Sequence, residues 1–193
     1  SQRINVAGTI NAEDGTVLVN SQGADISADI NAKTTILSAN DRDTYLWGGN
    51  ILGNLIATDN SNIFILGEYT ASGFINLIAD FDGNNSGDLW TFARLRTTGG
   101  NISLVGNNIY LNGMLTSSGG NISLTANNDV IHFALGDIST SHGNFTGNAG
   151  NDYLVRNGVN IITGFGSMNI NAGNKILFGN VGGALSIYLW GYL

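Results

Sequence analysis

Short runs in which apolar and small polar residues alternate recur along most of the chain, as in Ile75-Asn76-Leu77, Ile102-Ser103-Leu104 and Ile122-Ser123-Leu124. A period of two sends apolar side chains to one side of a strand and Ser, Thr and Asn to the other. A second set of such runs follows at Ile63-Ile65, Ile109-Leu111 and Ile131-Phe133. Gly, Asn and Ser punctuate the runs, as turns require.

The runs belong to a repeat. Gly99-Gly100-Asn101-Ile102-Ser103-Leu104 returns as Gly119-Gly120-Asn121-Ile122-Ser123-Leu124, and its opening stands at Gly48-Gly49-Asn50-Ile51. With Ile122 as a register mark, equivalents fall at Val17, Thr35, Ile51, Ile75, Ile102, Phe145, Met168 and Leu185, at intervals of 16 to 27 residues. Two residues before the mark stands a turn glycine: Gly15, Gly49, Gly73, Gly100, Gly120, Gly143, Gly166 and Gly183, with Lys33 the exception. One such unit cannot enclose its apolar side, but coils stacked about 4.8 Å apart bury a continuous column. The expected fold is all-β, a right-handed parallel β-helix (β-solenoid) of about nine coils. It forms one domain over 1–193, with a loop insertion around 80–88. Glycine recurs, on this reading, because the turns need positive φ.

Composition agrees with strands and turns: 28 Gly, 28 Asn, no Pro and 11% charged residues among 193 leave few helix formers. The net charge of −7 argues against nucleic acid as a partner. No apolar run is long enough to span a membrane as a helix.

Gly99-Gly-Asn-Ile-Ser-Leu-Val-Gly-Asn-Asn-Ile109 and Gly119-Gly-Asn-Ile-Ser-Leu-Thr-Ala-Asn-Asn-Asp129, echoed by Asn169-Ile-Asn-Ala-Gly-Asn174, resemble the haemagglutinin-type repeats of filamentous haemagglutinin-like exoproteins. The likeness covers 99–180 and is diffuse before that. It implies a β-helical rod at the bacterial surface, used for adhesion, aggregation or matrix building. Family members are usually far longer, and their secretion domains carry Asn-Pro motifs that this Pro-free chain lacks.

Several residues are candidates for particular roles. Asp80, Asp82, Asn84 and Asp88 place hard oxygen ligands on a Gly-containing loop, so calcium is the cation such a loop would take, against a plain polar loop. The loop lacks the Gly and Glu positions of an EF-hand, and no other cofactor is expected. Gly147-Asn-Ala-Gly-Asn-Asp-Tyr-Leu-Val155 resembles one calcium-binding nonapeptide, but as a single copy it reads as ordinary coil. Asn40, Asp80, Asn107 and Asn127 fall five after their marks and predict a side-chain ladder along the rod. Tyr188, Trp190 and Tyr192 alternate with Leu189 and Gly191, an outward aromatic stripe suited to self-association.

Catalysis has little to draw on: two histidines, His132 and His142, no Cys, and the small charged pairs Asp41/Asp43 and Arg94/Arg96 near Asp88. Enzymatic activity is not expected, and the outward row is too mixed for ice binding. The expectation is an extracellular or cell-surface β-solenoid, structural or adhesive, that joins a homo-oligomer or filament by end-to-end stacking or forms a shaft segment of a larger adhesin. Surface glycans are further candidate partners, and polysaccharide binding or cleavage is the competing function.

Overall fold

A computed structural model describes residues 2–179 and the backbone of Ser186–Tyr188. Its regular structure is all strand, and every strand pairing is parallel. The chain winds as a β-solenoid: Asn5, Asp25, Tyr45, Phe64, Trp90, Tyr110, Ile131, Leu154 and Leu177 stand in register, one per coil.

Each coil has three strand faces rather than the two legible in the sequence. The first face stacks β4 (Ile63–Ile65), β7 (Leu89–Thr91), β10 (Ile109–Leu111), β13 (Val130–His132), β16 (Asp152–Val155) and β19 (Lys175–Phe178). The second stacks β5 (Tyr69–Ala71), β8 (Leu95–Thr97), β11 (Leu115–Ser117), β14 (Ile138–Thr140), β17 (Asn160–Ile162) and β20 (Ser186–Tyr188). The third stacks β6 (Ile75–Ile78), β9 (Ile102–Gly106), β12 (Ile122–Ala126), β15 (Phe145–Ala149) and β18 (Met168–Ala172). In the first three coils single strands bend through all three faces: β1 (Ile4–Ser21), β2 (Ala24–Ala39) and β3 (Thr44–Asp59). The second face went unread because half of its inward positions are small or polar, as at Ala71, Thr97, Ser117 and Thr140, so the apolar alternation is broken there.

Among the described residues, which do not include Leu185, the register mark holds along the third face with one correction. Val17, Thr35, Leu55, Ile75, Ile102, Ile122, Phe145 and Met168 are successive partners. Ile51 instead lies on the second face, opposite Ala71. The Gly48-Gly49-Asn50-Ile51 string copies the motif but opens a different strand. The turn before the third face falls at Gly53-Asn54, where Asn54 Oδ1 accepts the Phe74 N–H at 3.1 Å.

The glycine column is also there for a different reason. Gly100, Gly120, Gly143 and Gly166 do not have positive φ. A Cβ on them would lie 2.2, 2.3, 2.0 and 2.0 Å from the carbonyl oxygen of Gly73, Gly100, Gly120 and Gly143, respectively. Each glycine therefore sits directly on the one a coil earlier, and backbone contact excludes any side chain. Gly15 faces Ala12 of its own coil, and Gly49 (φ 154°) lies against the Ala28 carbonyl, outside the column. Gly183 is outside the described residues.

Inward side chains form one core from Ala24 to Ile161, among them Ile26, Leu55, Leu104, Ile122 and Phe145, all essentially inaccessible to solvent. Burial of this apolar column is the main stabilising term. The coil of β1 is less covered: Val6, Ile10, Val17 and Val19 are only partly buried.

Candidate functional site

Three polar columns fix the corners between faces. The first occupies the position just before the first-face strands. Asp43 Oδ1 accepts the Asn62 amide at 2.9 Å, Asn62 Oδ1 accepts the Asp88 N–H at 2.8 Å, and Asp88 Oδ1 accepts the Asn108 amide at 2.9 Å. The column continues through Asn108 Oδ1 to the Asp129 N–H at 3.2 Å and Asp129 Oδ1 to the Asp152 N–H at 3.0 Å. Amides separate Asp43, Asp88 and Asp129, so these carboxylates stand two coils, roughly 10 Å, apart, about one Debye length at physiological salt. Cations close both ends. Arg3 pairs with Asp25 and donates to the Asp43 carbonyl at 2.9 Å, while Lys175 pairs with Asp152 at 3.2 Å.

A second column precedes the third face. Asn101, Asn121 and Asn144 each offer Oδ1 to the next coil's backbone N–H, on Asn121, Asn144 and Ser167, at 2.8 Å every time. The third column is made of hydroxyls at the ends of second-face strands. Thr97 and Ser117 donate to the Gly100 carbonyl at 2.5 and 3.0 Å, and Thr140 donates to that of Gly120 at 3.1 Å. Its sequence signal is a Ser or Thr three residues before each column glycine.

The first face turns an aromatic surface outward. Tyr45, Phe64, Trp90 and Tyr110 occupy consecutive coils of one outward column. Tyr45 stacks on Phe64 at 5.0 Å and Trp90 on Tyr110 at 3.8 Å between centroids. Neighbouring positions add Trp47, 54% exposed, Phe92, 46% exposed, and Phe133. The Arg3 and Arg156 guanidiniums lie over the Tyr45 and Phe133 rings, 4.5 and 4.6 Å from the centroids. Burial, then the Asp88 and Asp129 carboxylates, raise the Tyr110 phenol above its ordinary value.

Beyond Tyr110 the outward column passes to Ile131, Leu154 and Leu177, and the face becomes concave. An open groove of about 690 Å3 is lined there by Phe133, Leu154, Leu177, Asn112 and Arg156. Among the described residues no carboxylate is within ion-pair distance of Arg156.

Several titratable groups are buried, His132, Tyr153 and Asp59 among them. His132 Nδ1 is 2.9 Å from the Gly136 carbonyl and Nε2 is 2.7 Å from the Tyr153 hydroxyl. A carbonyl only accepts, so Nδ1 carries the proton and Nε2 accepts from Tyr153. Burial pulls the imidazole down to about 4 and drives the Tyr153 phenol well above its usual range. Asp59 is inaccessible to solvent, and its carboxyl is pushed up to about 6 by burial, against hydrogen bonds from Thr44 Oγ1 (2.7 Å) and the Ser61 N–H (2.8 Å).

The residues singled out in the sequence fall as follows. Asp80 (φ 58°) accepts the Asn85 N–H at 3.0 Å and the Ser86 N–H at 3.4 Å, organising its own loop. Asp82 accepts from the Asn84 amide at 2.9 Å, and Asp88 belongs to the corner column. No cluster of three acidic, His or Cys residues suited to a metal occurs among the described residues. Of the ladder Asn40, Asp80, Asn107 and Asn127, the Asn127 amide donates to Asp80 at 3.1 Å. The Asn107 backbone N–H bonds to Gly87, and Asn40 is exposed. The continuous ladders run through other residues: those before each strand, which meet the next coil's N–H groups. Asp43 sits in the first column, Asp41 is exposed, and Arg94 pairs with Glu68 at 3.7 Å. His142 is exposed and stacks on Phe165 at 5.2 Å. The Tyr188 side chain, Trp190 and Tyr192 lie outside the described residues.

Among the described residues no helix is long and apolar enough to cross a membrane. Comparison with protein-family models, curated proteins and solved structures found no match to this chain.

Proposed function

We propose that this chain is an extracellular structural and adhesive β-solenoid, a subunit of a self-assembling surface fibre or a shaft segment of a larger adhesin. The observation carrying this reading is the outer edge of β1. Among the described residues β1 pairs only with β2, so an edge running from Ile4 to Ser21 is unpaired above a partly covered core. Unpaired strand edges are templates for another strand. A parallel coil laid on β1, from a second copy or from a longer shaft, satisfies its backbone groups and completes burial of Val6, Ile10, Val17 and Val19. The resemblance to haemagglutinin-type repeats supports the same role.

Negative-stain electron microscopy across a concentration series tests self-assembly. Filaments with an axial repeat near one rod length, about 40 Å for nine coils at 4.8 Å each, are expected. Uniform short particles at every concentration would remove the fibre reading and leave the shaft segment. A second reading, saccharide binding by a lateral face, is favoured by the groove at Arg156.

A further inference from the structure

We infer that the groove at Arg156 binds a carboxylate-bearing saccharide of the uronic-acid class. This rests on the saccharide-binding reading and not on self-assembly. The groove volume, about 690 Å3, lies in the range of small-ligand sites. Its apolar floor is Phe133, Leu154 and Leu177, and Asn112 contributes an amide. Arg156 lines the same groove, exposed, held over the Phe133 ring and without a carboxylate partner among the described residues. A planar guanidinium takes a carboxylate through two parallel hydrogen bonds, and ring contact pre-orders that fork. The chain carries 14 acidic and 7 basic residues, so the groove sets a cation over an apolar floor on an otherwise acidic molecule.

The backbone narrows the ligand class. β10, β13 and β16, beneath the groove, are each paired on both sides. An extended peptide cannot add to those three strands, so recognition over them falls to side chains. A ligand must bring its own acceptors and donors together with flat C–H surface. A uronic-acid saccharide has all three. Its carboxylate meets Arg156, its hydroxyls reach Asn112, and its ring face covers Leu154 and Leu177.

Titration calorimetry of the chain with galacturonate and glucuronate oligomers, beside neutral xylose and glucose oligomers of equal length, tests this. The acidic oligomers are expected to bind at least about tenfold more tightly, an advantage that falls with added salt. Arg156→Gln should abolish that preference, and Arg96→Gln, on the second face, should keep it. Thermal melts of both variants establish that they fold. Equal binding of acidic and neutral oligomers, or an acidic preference surviving in Arg156→Gln, would overturn the uronate assignment while leaving saccharide binding intact. No binding by any oligomer would overturn both. Loss of concentration-dependent self-association in Arg156→Gln, without saccharide binding, would assign the groove to a second copy instead.

Discussion

The ring of Tyr153 fills the space that a side chain at residue 147 would otherwise take: a Cβ on Gly147 would stand 2.5 Å from Tyr153 Cε2. The coils on either side have Leu124 and Ile170 where Gly147 sits. The preceding coil has Val130 where Tyr153 sits. One coil has thus exchanged a Leu-like and a Val-like residue for glycine and tyrosine, keeping the core filled and giving His132 a hydroxyl donor.

That exchange predicts strong coupling. Gly147→Leu overpacks the core and should cost about 3 kcal/mol. Tyr153→Val leaves a cavity and an unbonded imidazole nitrogen, at a cost of similar size. The double variant restores the pattern of the neighbouring coil and should recover at least about 2 kcal/mol relative to additivity. Denaturant unfolding of all four proteins checks this, and additive losses would count against it.

The glycine column separates two neighbouring positions. Gly120→Ala drives a Cβ to 2.3 Å from the Gly100 carbonyl oxygen and should destabilise by at least about 2 kcal/mol. Gly119→Ala meets nothing within 4 Å and has no positive φ, so it should be neutral or gain a few tenths of a kcal/mol. Melting curves of the two variants side by side decide whether close approach is the constraint.

Asn108 insulates Asp88 from Asp129 in the corner column. Asn108→Asp removes the amide donated to Asp88 and sets carboxylates on four consecutive coils, from Asp88 to Asp152. A loss of about 1–3 kcal/mol is expected at neutral pH. It should shrink as pH falls through the ordinary carboxylate range and as salt is added. A loss unchanged by pH and salt would point to packing instead of charge.

His132 and Asp59 give opposite pH slopes. The imidazole is lowered in the fold to about 4 from 6.5, so its contribution is complete above about 6.5 and disappears as pH falls toward 4. Asp59 is raised to about 6 from 3.8, so its contribution is complete below about 4 and is lost as pH rises through 6. Each amounts to about 3 kcal/mol at most, and between pH 4 and 6 they largely cancel. Asp59→Asn should therefore melt higher at pH 7 and expose a stability that climbs from pH 4 to 6.5. An Asp59→Asn profile as flat as that of the parent would show that His132 is not held neutral.

The sequence by itself determined the class of fold, the period of the coils and most of the third-face register. Alternation, and glycine at one offset, are local consequences of stacking identical turns. Gly147 matched the glycine-poor side of that pattern badly, yet nothing near it in sequence explains why, since its partner is a ring reaching in from another face. The tertiary structure alone decided that Ile51 belongs to the second face, that the column glycines are there for backbone contact, and that the ladders run through Asp88, Asn108 and Asn121. Register between coils brings together residues about twenty positions apart. The choice between Gly49 and Gly53 as a turn depends on which carbonyl lies beneath it. The aromatic face and the Arg156 groove were missed for the same reason: Tyr45, Phe64, Trp90 and Tyr110 are single residues in separate runs, and only the winding of the chain lines them up on one surface.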